Sequence, residues 1–351
     1  MASDARILSL PATDGSERIV RLSNADRPVW PAEGITKADV ADYVIAVQDG
    51  LLRALSDRPV TLQRFRGGVD GEEFYSKNPP RGAPDWIRTV VCRYPSARSH
   101  PQLVIDEIAA AVWCVQMGTV TFHPWPVRSD DTDVVDELRI DLDPQPGRDF
   151  ADAAEAALAL RELMWELRLT CWAKTSGNRG VHVYSRIERT HEFTDVRHAV
   201  IGIARELERR LPDLVTTAWW KEERGRRVFV DYNQAARDRT IASAYSPRSL
   251  PHAPVSMPLP WSAVAGADPA EFTVRSVPGI VAADGDPWAG MDEPAATGSI
   301  DGALSLWQAD LDRGLGELNF PPDYPKTPGE PPRVQPSKKN PDNWDGDTRR
   351  A

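Results

Sequence analysis

The sequence predicts a mixed α/β or α+β domain in which one sheet carries the functional residues. Alternating apolar and polar residues, typical of half-buried strands, occur at 137–143, 181–187 and 227–232. Among these segments, apolar residues recur every three or four positions at 150–169 and 195–211, as they do on one face of a helix. Because strands and helices alternate along this part of the chain, we expect a sheet with helices packed against it.

The composition is that of a globular protein large enough for one or two domains. Of its 351 residues, 41% are hydrophobic and 27% are charged, which excludes a wholly disordered chain and a small disulfide-held scaffold. No apolar run approaches the roughly 18 residues that a membrane-spanning helix needs. The N-terminus lacks the long apolar middle of a signal peptide. We therefore expect a cytoplasmic protein with no membrane partner.

The net charge and the cysteines exclude further classes of protein. The net charge of −10 argues against a protein that coats nucleic acid nonspecifically. Segments 58–93 and 221–248 nevertheless each carry seven basic and four acidic residues, so a locally basic groove fits the sequence. Cys92, Cys114 and Cys171 are odd in number and contain no C-x-x-C pair, so we expect buried, reduced thiols.

The C-terminal part of the sequence divides into a helix and a tail. A final helix is predicted over 300–318, at the end of a folded part that spans 1–320. Eight of the 31 prolines lie in the last 31 residues, in a composition that buries too little apolar surface to fold alone. We predict a Pro-rich flexible tail at 321–351. Trp344 is the residue by which it would dock on a partner, and an inert tail is the alternative.

Two carboxylates are predicted to stand side by side at the end of the first strand. In E-L-R-I-D-L-D, alternation places Arg139, Asp141 and Asp143 on one face and the aliphatic residues on the other. Residues two apart on a strand are separated by about 6.6 Å, a spacing at which both carboxylates can bind one or two divalent cations. Two exposed acids before a Pro-Gly turn are the simpler alternative.

A third carboxylate, Asp231, directly follows the apolar run V-F-V, where a core strand normally carries no charge. A buried carboxylate is costly unless it is paired or metal-bound. Arg237, Arg239 and Arg248 follow it, so a structural salt bridge is an alternative. Three acidic residues, together with these arginines, indicate a site for a metal ion and a triphosphate.

A glycine-rich turn and two histidines complete the candidate residues. In K-T-S-G-N-R-G-V-H, the turn is predicted to expose backbone N–H groups near Ser176 and Arg179, which bind anions, before a strand that carries His182. It is not a P-loop, because the spacing G-x-x-x-x-G-K-[ST] is absent. His123 lies in F-H-P-W. A hairpin turn with an exposed arginine and a structural histidine are the alternatives.

These motifs follow one another in a characteristic order: F-H-P-W, E-L-R-I-D-L-D-P, K-T-S-G-N-R-G-V-H, V-F-V-D-Y-N-Q and A-Y-S-P-R. The order resembles the polymerase domain of bacterial ligase D, a branch of the archaeo-eukaryotic primase superfamily, over about residues 18–290. The resemblance implies an α+β primase-polymerase core, with central mixed or antiparallel sheets flanked by helices. It also implies a DNA-binding part at about 18–120 and a metal- and nucleotide-binding part at about 121–290.

The same resemblance implies roles for individual residues. Asp141, Asp143 and Asp231 would be the catalytic metal ligands, holding Mn²⁺ or Mg²⁺, two ions in a two-metal nucleotidyl transfer. The residues implied to bind the nucleotide are His123, Ser176, Arg179, His182, Arg239 and Arg248. Those implied to bind a DNA 5′-phosphate are Asn24, Arg27 and Lys37, and those implied to stack on template bases are Phe74 and Tyr75. An ordinary core position is the alternative for the two aromatic residues.

The sequence also departs from the family. Arg27 stands where the family often has lysine, the run A-R-D-R at 236–239 is more charged than usual, and Pro247 replaces an aliphatic residue. These departures bear on nucleotide preference. No K-x-D-G ligase motif is present and 351 residues leave little room for further domains, so we expect a stand-alone enzyme.

The function implied is template-directed DNA or RNA nucleotidyl transfer that fills short gaps in DNA repair, by end joining or excision repair, with a preference for ribonucleotides. The expected partners are gapped or broken double-stranded DNA, NTP or dNTP, and a separate ATP-dependent DNA ligase and Ku. We expect a monomer associated with the nucleoid. Priming or extension at DNA ends is a close variant. Two other classes are weaker: a D-x-D glycosyltransferase leaves Asp231 and the glycine turn unexplained, and the three aspartates argue against a non-catalytic end-bridging module.

Overall fold

The computed structural model describes residues 5–322, 324–326 and 330–331, so most of the predicted tail, with Trp344, lies outside the described residues. The strands are β1 (Arg6–Pro11), β2 (Glu17–Leu22), β3 (Pro28–Trp30), β4 (Ile35–Thr36), β5 (Pro59–Arg66), β6 (Glu72–Ser76), β7 (Thr89–Arg93), β8 (Ser99–Val104), β9 (Thr119–Pro124), β10 (Val127–Arg128), β11 (Asp131–Pro144), β12 (Trp172–Thr175), β13 (Val181–Glu192), β14 (Val215–Thr216), β15 (Val228–Val230) and β16 (Pro258–Leu259). The helices are α1 (Lys37–Ala46), α2 (Gln48–Leu55), α3 (Ile108–Gln116), α4 (Phe150–Glu166), α5 (Phe193–Arg210), α6 (Val277–Asp284) and α7 (Asp301–Asp312).

The larger sheet confirms the predicted α+β class. Its seven strands run in the order β14-β15-β11-β13-β12-β16, with β10 also paired to β11. Only the pair β14 and β15 is parallel, and the other pairs are antiparallel. Helices α4 and α5 pack together against β11 and β13. The sheet is therefore mixed, and its centre is the strand that carries Asp141 and Asp143.

A second sheet lies against the polar side of the first. It has five strands in the order β6-β5-β8-β7, with β9 paired to β5. Arg139 on β11 donates hydrogen bonds to the carbonyl oxygens of Pro124 at 2.6 Å and Trp125 at 3.2 Å, at the end of β9. Glu137 balances this buried guanidinium at 2.8 Å. The residues of β9 are thereby held opposite the acidic face of β11.

The predicted helices are present, and their ends have local causes. Helix α4 begins with a capping box, in which Asp149 accepts from the backbone of the first turn and Asp152 accepts from the Asp149 N–H. The helix predicted over 300–318 ends earlier, at Asp312. Gly314 has a φ of +80°, its N–H donates to Leu311 O, and the Leu315 N–H donates to Asp310 O. This pair of bonds is a Schellman motif, which ends the helix about six residues before the predicted end.

The packed chain continues past residue 320. We call residues 316–322 together with Tyr324 the C-terminal strap. Arg197 on α5, almost fully buried, donates to the Glu317 carboxylate at 2.7 Å and to the carbonyl oxygens of Leu318 and Asn319. The Tyr324 hydroxyl donates to the carbonyl oxygen of Arg237. The strap therefore ties the end of the described chain to α5.

Two composition-based expectations can be compared directly with the structure. All three cysteines are free and buried, as predicted. In the described part of the chain, no helix combines the length and the apolar character needed to cross a membrane.

Candidate active site

Four polar side chains form a row across the larger sheet. Asp141 on β11 lies opposite His182 on β13, and His182 lies opposite Lys174 on β12. Asp231 follows β15, and its N–H donates to the Asp141 carbonyl oxygen at 2.9 Å, which continues the strand register. Residues paired in an antiparallel sheet point to the same face. Asp231, Asp141, His182 and Lys174 therefore share one face, and Asp143, two residues along β11, joins them.

The three carboxylates are protonated more easily than ordinary aspartates. Burial raises the pKa of Asp141 to about 6, while Lys174 and Arg248 oppose the rise. The pKa of Asp231 is also raised to about 6, first by burial and then by the charge of Asp141. Asp143 is shifted upward for the same two reasons, so its pKa also exceeds the ordinary value. A divalent cation beside them would offset both effects, since it replaces lost hydration and neutralises the repulsion.

The aspartates fit a divalent metal in chemistry and placement, but they do not form a closed cage. Hard carboxylate oxygens on one face are the ligands that Mg²⁺ and Mn²⁺ take. Gln145 donates to Asp143 at 3.1 Å and Gln234 donates to Asp231 at 3.0 Å. Among the residues that the structure describes, no three side chains of Asp, Glu, His or Cys converge closely enough to enclose an ion. Metal binding would therefore compete with the two glutamines.

Lys174 is a site residue that sequence reasoning missed. Its Nζ lies 2.7 Å from His182 Nδ1 and 2.5 Å from Ser256 Oγ. Burial, followed by the charge of Lys174, holds the pKa of His182 well below its usual range, so the ring is neutral. When Nδ1 accepts from Lys174, the ring proton is on Nε2, which lies 3.4 Å from Asp141 Oδ1. Lys174 could have been found from its position in the sequence, because it pairs with His182 when the segments on either side of the glycine turn form an antiparallel hairpin.

The glycine turn differs from the prediction. Ser176 Oγ accepts from the N–H groups of Asn178 at 3.2 Å and Gly180 at 3.0 Å, and the Ser176 N–H donates to the Gly180 carbonyl. The N–H groups of Ser176, Asn178 and Gly180 are therefore engaged within the turn, which leaves fewer N–H groups for an anion than the sequence predicted. Gly177 has a φ of +74°, and a Cβ there would lie 2.4 Å from Arg248 Cγ. The turn instead makes room for Arg248.

His123 faces the acidic row from the second sheet. Its Nε2 is buried and has no hydrogen-bond partner among the described residues. Burial lowers the pKa of His123 to about 3, with further contributions from the charges of Arg248 and Lys174. An unpaired buried nitrogen is costly. The other ring nitrogen is hydrogen-bonded to the Thr240 backbone, so Nε2 of the neutral ring carries no proton. A bound anion would offset the charges of Arg248 and Lys174 and raise this pKa, so that Nε2 could take up a proton and donate to the anion.

The remaining residues predicted to bind nucleotide or template do not form one cluster. Arg179 is exposed, and its charge partly opposes the upward shift of the Asp143 pKa. Arg239 is half-buried and lies beyond Asp231 in the sequence. The predicted stacking pair is divided between two faces of β6, because neighbours in a strand point in opposite directions. Tyr75 is exposed, with its ring centroid 5.7 Å from that of His123. Phe74 lies under the guanidinium of Arg64 at 4.8 Å.

The residues predicted to bind a 5′-phosphate meet at a cavity of about 170 Å³ that is lined by Arg27, Lys37 and Arg66. The Lys37 Nζ donates to the Ser23 carbonyl at 2.7 Å. Burial lowers the pKa of Lys37, and the charge of Arg27 lowers it further. Asn24 forms the adjoining turn by accepting from the Arg27 N–H. The cavity therefore brings together three basic side chains, of which Arg27 and Lys37 repel each other.

Comparison with known proteins gives one family. The LigD primase-polymerase domain matches residues 36–288. The multifunctional LigD of Mycobacterium tuberculosis, a non-homologous end joining DNA repair protein, is 31% identical over 282 residues, which cover 77% of this chain and 37% of the relative. The multifunctional non-homologous end joining LigD of Pseudomonas aeruginosa is 32% identical over 292 residues, covering 81% and 34%. The chain thus spans little more than a third of these relatives.

The structure is also similar to a solved one, the polymerase domain of Mycobacterium tuberculosis ligase D in complex with DNA. The TM-score is 0.74 at 29% sequence identity, and the match covers 78% of this chain and 98% of that domain. The likeness therefore extends over nearly the whole of a DNA-bound polymerase domain.

Proposed function

This chain belongs to the LigD primase-polymerase domain family, whose members are DNA or RNA nucleotidyltransferases, and from that premise we propose that it fills short gaps in broken DNA. The observation that carries the proposal is the face shared by Asp141, Asp143 and Asp231, with Arg248 and His123 nearby. Acidic metal ligands beside basic side chains are what a metal-bound triphosphate requires.

Each group has a distinct task in this proposal. The aspartates would hold one or two Mn²⁺ or Mg²⁺ ions, which supply Lewis-acid activation of the primer hydroxyl and of the triphosphate. Arg248 would bind phosphate oxygens, and His123 would do so once the bound anion raises its pKa and Nε2 is protonated. Lys174 would keep His182 in the tautomer whose Nε2 proton faces the reaction. Tyr75, exposed beside His123, would contact a base or sugar at the mouth of the site.

Primer extension on a short gapped duplex, with the full chain, tests the catalytic assignment. We expect Asp141→Asn and Asp143→Asn to reduce nucleotide addition at least 1,000-fold, because each removes a metal-ligand charge, while DNA binding stays within about twofold. Asp131→Asn, an exposed change at the start of the same strand, is the matched control. Extension by either site variant at more than a tenth of the wild-type rate would reject the metal-ligand role.

A second part of the proposal is recognition of the 5′-phosphate across the gap by Arg27 and Lys37. It is supported by the cavity that the two cations share and by their mutual repulsion. Lys37→Ala should weaken binding to a phosphorylated gap about tenfold, the loss of one charge-assisted hydrogen bond, and leave an unphosphorylated gap unaffected. Arg21→Ala, an exposed cation elsewhere, is the control. Equal losses on both substrates would contradict this role.

The same assay decides nucleotide preference and the variant reaction. We propose that ribonucleotides are preferred, and parallel reactions with NTP and dNTP measure this directly. Priming or end extension would appear as product on an unprimed single strand or a blunt end. Because the relatives are end-joining proteins, we also propose that a DNA ligase and Ku act with this chain. Co-sedimentation on a broken duplex tests that association.

A further inference from the structure

A tryptophan-lined pocket lies where α4 ends, at the opposite end of β12 from the glycine turn. Its volume is about 730 Å³, and its walls include Trp165, Trp172 and Trp261 with Arg161 and Arg168. None of the aspartates, histidines or arginines assigned to catalysis lines it. The polymerase function therefore leaves this pocket unexplained.

The pocket combines exposed aromatic surface with cations that have no acidic partner. Trp165 is 79% exposed, which is unusual for so large an apolar side chain. Arg161 lies over the Trp261 ring at 5.2 Å. Neither Arg161 nor Arg168 forms an ion pair with another described residue, whereas Glu166 is neutralised by Arg210 at 2.7 Å. The complementary ligand is an aromatic group flanked by carboxylates.

The sequence contains such a segment outside the described residues. Residues 340–347 read N-P-D-N-W-D-G-D, with one tryptophan, one proline and three aspartates and with no basic residue. Proline and tryptophan are side chains that aromatic-lined grooves accommodate. The segment therefore complements the pocket in side-chain chemistry and in charge.

The chain is long enough to bring this segment to the pocket. Glu330 accepts from the Phe320 N–H at 3.3 Å, and the Phe320 ring lies 3.7 Å from the guanidinium carbon of Arg197, near the start of α5. Arg210, at the other end of α5, contacts the pocket residue Glu166. The helix between Arg197 and Arg210 is about 20 Å long, and the 13 residues from Pro331 to Trp344 span up to about 45 Å.

We propose that residues 340–347 dock in this pocket of their own chain. Trp344 enters among the three tryptophans, and the aspartates pair with Arg161 and Arg168. The C-terminal segment is then held at the end of β12 that is opposite to the glycine turn. A free aromatic and acidic segment of a partner protein would compete for the same place.

A peptide-binding measurement on the full chain tests the proposal. A fluorescein-labelled peptide of residues 336–351 is titrated with the Trp344→Ala protein, whose own segment no longer competes, and anisotropy is recorded. We expect saturable binding that is at least tenfold weaker when Trp165→Ala or the pair Arg161→Glu and Arg168→Glu is added. The wild-type chain should also bind at least tenfold more weakly, because its pocket is occupied. Val91→Ala, an exposed apolar change on β7, should have no effect.

Two results would overturn the proposal. One is the absence of saturable binding to the Trp344→Ala protein, and the other is equal binding with and without Trp165→Ala. Sedimentation velocity distinguishes the occupant. A wild-type monomer at all concentrations supports docking within one chain, whereas a dimer that Trp344→Ala dissolves would assign the segment to a second copy and reject the form proposed.

Discussion

Asp141 and Asp231 lie side by side at a position where like charges normally destabilise a sheet. They are joined by a backbone hydrogen bond, and each has its pKa raised to about 6. Directly opposed like charges are destabilising. The sheet tolerates the pair because protons or a cation can neutralise it. The protein without a cation at this position therefore carries a penalty that the proposed metal ion would offset.

This penalty has a predictable pH dependence. A carboxyl whose pKa is raised by folding binds its proton more tightly in the folded state, so the free energy of unfolding falls as pH rises through about 4 to 6. For each group, a change from 3.8 to about 6 corresponds to roughly 3 kcal/mol at most. In EDTA, we expect Asp141→Asn to be about 1–3 kcal/mol more stable than wild type at pH 7 and equal to it at pH 4. Denaturant unfolding at both pH values measures this.

The same two proteins are also compared in the presence of Mn²⁺. Saturating Mn²⁺ at pH 7 should raise the Tm of the wild type and have little effect on the Asp141→Asn variant. A variant that is less stable than wild type at pH 7, or one that gains as much from Mn²⁺, would contradict the penalty described above.

At the scale of elements, periodicity predicted the strands and helices around the site well. Alternation in E-L-R-I-D-L-D predicted the face that Asp141 and Asp143 share, because a strand has only one way to repeat. Alternation within one strand does not determine which other strands pair with it. The row from Asp231 to Lys174 depends on cross-strand register, which is set by distant segments. For the same reason, the sequence did not reveal Lys174. The opposite faces of Phe74 and Tyr75, in contrast, follow from alternation within β6 alone.

The turn between β12 and β13 offers a test at this scale. Gly177→Ala introduces a Cβ at a φ of +74° and within 2.4 Å of Arg248 Cγ. Gly34→Ala is the matched control, because Gly34 is left-handed at a φ of +61° and a ψ of 26° and a Cβ there has no neighbour within 4 Å. We expect Gly34→Ala to cost about 1 kcal/mol of stability and Gly177→Ala to cost more, and only Gly177→Ala to raise the KM for the nucleotide, about tenfold. Unfolding and steady-state kinetics measure the two effects. A KM that changes equally in both variants would exclude a role for Arg248 in nucleotide binding.

At the scale of the whole molecule, the C-terminal strap connects α5 to the turn that carries Asp231. Asn233 accepts from Arg197 Nε at 3.0 Å and donates to the Asn319 carbonyl at 2.9 Å. The Asn233 N–H in turn donates to the Asp231 carboxylate at 3.1 Å. A segment beyond the family-matched residues 36–288 is thus two hydrogen bonds from a candidate metal ligand.

Two shortened chains separate the strap from the residues beyond it. Ending the chain after Leu315 leaves the buried Arg197 without its acidic partner, which we expect to cost about 3 kcal/mol or more and to lower the Tm by roughly 5–10 °C. Ending it after Pro331 keeps the strap and removes only the segment proposed to dock, so we expect a smaller fall in the Tm, about 2–4 °C. Adding Arg197→Met to the shorter chain removes the unpaired charge and should recover part of the loss. Thermal unfolding measures all three, and equal Tm values for the two lengths would refute a structural strap.

The register of β11 also limits how this protein can change over evolutionary time. Side chains in the acidic row can be exchanged one at a time, because each keeps its place on the sheet. A single-residue insertion between Glu137 and Asp141 would instead turn both aspartates toward α4 and α5. The pairing with β13 shifts between Val135 and Glu137, so an odd number of added residues can be absorbed there. Descendants of this gene should therefore vary in length before Glu137 and only in steps of two after it.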